Sequence, residues 1–171
     1  MITNQEQFPT YNTLFPVLRT QTTCVNDPIK MTQEDLEIEV NHPIKRQLFF
    51  QNMGYKICDC YYEQPAEEEG QERVPYLSLE FLPLKQEVQN EISKDLMINI
   101  VRVFMKVEYF MDRINKNREL FNIIEKDILD KPGDSIHLLW LEDAYKLSHY
   151  GSLESAKSEI SKFLKNNLLI H

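Results

Sequence analysis

Val88, Ile92, Leu96, Ile100, Phe104, Val107, Met111 and Ile114 recur every three or four residues and so fall on one face of a helix. Ile98, Val101, Val103 and Phe110 widen that face until most of the circumference is apolar. A helix of this kind must lie at the centre of a fold or in an interface. Lys94, Arg102, Lys106 and Glu108 interrupt the run, which excludes a membrane span. The spacing therefore predicts one long central helix over 88–114. Any part of its apolar surface left uncovered would offer a seam for a homodimer or a partner helix.

Before Leu84 the pattern is different. Leu36-Glu37-Ile38-Glu39-Val40 alternates apolar and acidic residues, as a half-buried strand does. Asn41 and Pro43 signal a helix start, Ile44, Leu48, Phe49 and Met53 mark one face of that helix, and Gly54 ends it; this reading is preferred to a hairpin turning at Asn52-Met53-Gly54. Residues 55–63 and 74–82 read as strands. In the second, Leu77, Leu79 and Phe81 share one face and Ser78 and Glu80 the other, while Pro75 and Pro83 argue for an edge position at its ends. Residues 1–33 show no sustained period and contain Pro9, Pro16 and Pro28, so they are expected to form an extended arm. Its apolar groups (Phe8, Tyr11, Leu14, Phe15, Val17, Leu18) favour docking on the domain formed by residues 34–171.

Beyond the polar break Asn115-Lys116-Asn117-Arg118, the helical pattern resumes at Leu120, Phe121, Ile124 and Ile128 and stops at Lys131-Pro132-Gly133. Residues 136–150 are ambiguous. They read either as a helix followed, after Gly151, by another, or as a strand pair 136–141 and 145–150; the helical reading is preferred. In it, Trp140, Ala144, Gly151, Ala156 and Ile160 resemble in spacing a single tetratricopeptide-type helical hairpin, with Asp143 at a normally apolar position and no second copy. The fold class expected is α+β: a small antiparallel sheet packed on a long central helix, a helical C-terminal region and an extended N-terminal arm.

Charge is distributed unevenly. Up to Pro83 the chain holds 13 acids against 6 bases, and from Leu84 onward 14 against 13, within a formal net charge of −8. With a pI near 5.1, phosphate-led nucleic-acid binding is not expected. Glu63, Glu67, Glu68, Glu69 and Glu72 concentrate the acidity in the loop between the two strands. Such a tip is suited to steering a basic protein partner. Three cysteines, an odd number, and an N-terminus (Met1-Ile2-Thr3-Asn4-Gln5-Glu6) without a basic segment and apolar run suggest a reducing, cytoplasmic setting.

Catalytic patterns are scarce. Cys58-Asp59-Cys60 on a strand would turn both thiols to one face, but structural zinc sites space cysteines more widely and need two further ligands, for which Cys24 and His42 stand upstream. His137 and His149, twelve apart, would lie about 120° apart on a helix and so form no pair. Four glycines provide no phosphate-cradling loop, and no serine sits in a nucleophile elbow. Asp59 and Glu80 on successive strands resemble the carboxylates of PD-(D/E)xK nucleases, but Leu82 stands where that family needs its lysine. The expected function is non-enzymatic: an adaptor, chaperone or inhibitor that engages a basic protein, with no cofactor, nucleic acid or membrane. A metal-binding protein or enzyme using the Cys58/Cys60 strand is the alternative.

Overall fold

The computed structural model describes residues 18–25, 27–31, 43–84 and 88–168. The strand expected at 36–40, residues 1–17 of the arm, His42 and His171 lie outside them. The architecture is α+β, a fully antiparallel sheet in the order β1-β3-β2-β5-β4 with helices on both faces. Its strands are β1 (Leu18–Val25), β2 (Lys56–Cys58), β3 (Leu77–Pro83), β4 (Glu91–Ser93) and β5 (Ser135–Leu139).

The helices are α1 (Pro43–Asn52), α2 (Lys94–Glu108), α3 (Asn115–Asp130), α4 (Leu141–Leu147) and α5 (Leu153–Leu168). Leu79, Phe81, Cys58, Ile92, Ile136 and Leu138 pack on one face against α2 and α3. Met97, Val101 and Met105 of α2, with Leu120, Ile124 and Ile128 of α3, are almost fully buried there. Each such side chain taken out of water contributes roughly 1.5–3 kcal/mol. The other face carries a second core in which Ile44 of α1 meets Leu141, Tyr145, Leu153, Ala156 and Ile160 of α4 and α5.

The long helix differs from its expectation. Ile92 belongs to β4, and Ser93 caps α2 by accepting a bond from Leu96 N at 3.4 Å. At the far end Phe110 adopts φ +48°, Met111 N–H bonds back to the Met105 carbonyl, and the chain turns before α3 begins. A left-handed residue at this point ends a helix whatever the apolar period continues to suggest. The apolar stripe is thereby divided: Ile98, Ile100 and Val101 enter the core together with Met97 and Met105, which the stripe did not include, while Val107 and Phe110 stay 49% exposed. Arg102 of α2 ties to Glu125 of α3 at 3.0 Å, and Lys94 bonds to the Leu129 carbonyl at 2.9 Å, fixing the two helices antiparallel.

Other elements also shift. Residues 18–25, assigned to the arm, form β1 beside β3 in a register from Leu18↔Pro83 to Val25↔Leu77. β3 is therefore interior, flanked by β1 and β2, and not at an edge. Its prolines do no harm because Pro75 precedes the ladder and Pro83 closes it. The second face of β3 is covered, so Ser78 and Glu80 are buried as deeply as Leu79 and Phe81. The strand expected over 55–63 shortens to β2, with an isolated bridge between Gln64 and Val74 beyond it. On α1 the inward face is Ile44 and Gln47, while Phe49 and Met53 are 60% and 53% exposed. The 136–150 segment combines both readings: a strand to Leu139, then a helix from Leu141. The helical hairpin survives as α4 and α5 with Ala156 and Ile160 buried, but Trp140 lies outside it, 44% exposed beneath Lys56 Nζ.

Candidate functional site

The acidic loop does not project freely. Asn117, at the start of α3, is completely buried and makes three hydrogen bonds. Its Oδ1 accepts from Ala66 N at 2.9 Å, and its Nδ2 donates to the carbonyls of Ala66 at 2.8 Å and Tyr109 at 2.7 Å. One side chain thus clasps the acidic loop to the turn that ends α2. Glu67 and Glu68, immediately after Ala66, are brought beside Glu108, Phe104, Tyr109 and Phe110 around a groove of about 500 Å³. Phe104 and Tyr109 meet edge-to-face, with ring centroids 5.3 Å apart. Phe110 is half out in solvent, and the Arg113 guanidinium lies 5.8 Å from its ring centre.

The five acids named from sequence therefore separate. Glu67 and Glu68 line the groove, and Glu69 is exposed next to them. Glu72 bonds to Lys116 at 2.5 Å, which holds its carboxyl below the usual range. Glu63 is elsewhere: it accepts from the Tyr61 hydroxyl and pairs with Arg73 at 3.3 Å, at the mouth of a different pocket. Phe104 and Phe110 were named only on the stripe of one continuous helix, and Tyr109 and Glu108 were missed, because the periodicity runs through the turn that brings them to the loop.

Cys58 and Cys60 do come together, with Sγ atoms 3.2 Å apart. Cys58 ends β2 in the main core, and burial followed by the Cys60 hydrogen bond pushes its thiol well above the ordinary cysteine range. Asp59 points instead to Lys131 at 3.1 Å. Among the described residues no group of three His, Cys, Asp or Glu side chains is placed to hold a metal ion. His137 on β5 and His149 after α4 are exposed on separate elements. No described helix is long and apolar enough to cross a membrane. The chain matches no protein-family model, no curated protein and no solved structure.

Proposed function

We propose that this chain is a non-enzymatic binding module of the cytoplasm that engages a basic protein partner through the groove between the acidic loop and the end of α2. The observation that carries this reading is Phe110. A bulky residue at φ +48° is a backbone outlier, and its ring is left 49% exposed beside three carboxylates. Backbone strain at an exposed aromatic is a recurring feature of recognition sites. Among the described residues lining the groove none is basic, so Glu67, Glu68 and Glu108 favour a partner segment that brings Lys or Arg together with an apolar side chain. Glu69 adds to the same field, while Glu72 and Glu63 are already paired.

The test is a capture experiment from lysate of the source cell with wild type and the triple variant Glu67→Lys, Glu68→Lys, Glu108→Lys. A basic protein retained by the wild type and lost by the variant, with unchanged circular dichroism, supports the reading. Capture that survives the charge reversal, or a captured protein that is not basic, overturns it.

A further inference from the structure

A second pocket, of about 510 Å³, opens on the opposite face of the sheet. Its size is that of a small-molecule site. β3 and α1 form the floor, and the residues from α4 to Tyr150 form one wall. Gln47 lines this floor at 1% exposure. Its Oε1 accepts from the Tyr145 hydroxyl at 2.8 Å, while its Nε2 has no hydrogen-bond partner among the described residues. A buried amide donor left unmet costs free energy, so a pocket built around one calls for an acceptor.

The remaining lining defines the rest of the ligand. The hydroxyls of Tyr145, Tyr150 and Tyr61 all donate within the protein, to Gln47, to Asp27 at 3.3 Å and to Glu63. All three residues line the pocket, and each hydroxyl that donates elsewhere keeps its oxygen lone pairs to accept from a guest. The carboxylates at the mouth already have counter-ions, Lys30 beside Asp27 at 3.4 Å and Arg73 beside Glu63. Among the described lining residues, a formal charge on the ligand would find no unpaired carboxylate or lysine to meet it. The walls are aromatic, with the His149 and Tyr150 ring centres 3.9 Å apart and Tyr145 5.9 Å from Tyr150. Flat rings of this kind favour a flat guest.

We infer that this pocket binds an uncharged planar compound bearing an amide-type donor–acceptor edge, of the nucleobase or nucleoside class, held by Gln47 Nε2 and the tyrosine oxygens. The site is independent of the acidic groove, so either reading can fail alone.

The experiment is calorimetric titration of the full chain with adenosine, guanosine, cytidine and uridine, and with their 5′-monophosphates. At least one nucleoside is expected to bind with a Kd below about 1 mM, and its monophosphate about tenfold more weakly because the added charge is unmatched. Gln47→Glu exchanges the donor for an acceptor at constant size and is expected to weaken binding by about tenfold. A buried carboxylate can itself unfold the chain, so Tyr61→Ala, at a position 41% exposed, is the second variant and is also expected to weaken binding. No binding by any nucleoside, equal binding of the monophosphates, or wild-type affinity in the folded variants would overturn the inference.

Discussion

Phe110 and Asn117 carry opposite kinds of cost at the groove. Phe110 holds φ +48°, where glycine sits without penalty. Phe110→Gly should therefore stabilise the fold by about 1 kcal/mol, read as a raised midpoint in urea, while abolishing capture of the basic partner. A variant that is more stable and still binds would show the ring to be irrelevant. Asn117 is the reverse, a buried side chain whose three bonds satisfy both backbone groups of Ala66 and the Tyr109 carbonyl. Asn117→Ala leaves those groups buried and unmet, and should cost about 3 kcal/mol in chemical denaturation. The loop released by it should also lose affinity for the partner. Glu67 and Glu68 could be read in the sequence because charge is visible residue by residue, whereas Glu108 was hidden in the helical run. Asn117 could not be read, since an asparagine in a polar break looks the same whether it is solvated or completely enclosed.

Helices and strands were legible where one face alone is buried. Leu120, Phe121, Ile124 and Ile128 on α3 gave a clean period, and each proved to be core. Where both faces are covered, the pattern misleads. Ser78 and Glu80 form the polar face of β3, yet they lie under the second helical layer, which no local signal announces. Short elements fail for another reason: β4 and β2 have three residues each, too few to show alternation. The end of α2 carries neither glycine nor proline, so the apolar period ran on through a turn that tertiary packing enforces. The α4–α5 hairpin offers an element-scale test. Ala156 is fully buried in the second core, where Tyr145, Tyr150, Leu153 and Ile160 gather. Ala156→Leu overfills that site and should cost roughly 1–3 kcal/mol, seen as a lower thermal midpoint. An unchanged midpoint would mean that the hairpin is not packed on α1 and the sheet as described.

Across the whole molecule the sheet divides two chemistries. The α2–α3 side is an apolar core, whereas the opposite side embeds Gln47, Ser78, Glu80 and several tyrosine hydroxyls around a pocket. That second layer gives the fold a distinctive response to alkali. Burial, followed by the neighbouring Tyr150, raises the Tyr145 phenol far above its ordinary value of 10.0, and burial with the Asp27 carboxylate does the same to Tyr150. Desolvation and the hydrogen bond to Glu63 push Tyr61 up to about 12. In each case the folded state holds its proton more tightly than the unfolded chain does. The stabilisation is complete below pH 10 and is lost progressively as pH rises through the folded-state values, because only the unfolded chain gains by ionising there. Urea midpoints measured from pH 8 to pH 11.5 should thus be level until about pH 10 and then fall steeply. Absorbance at 295 nm, followed in the same samples, should show Tyr61, Tyr145 and Tyr150 ionising only together with unfolding. Ionisation of these phenols near pH 10 with the midpoint unmoved would mean that they are solvated, and the pocket they line would then have no closed wall to offer a ligand.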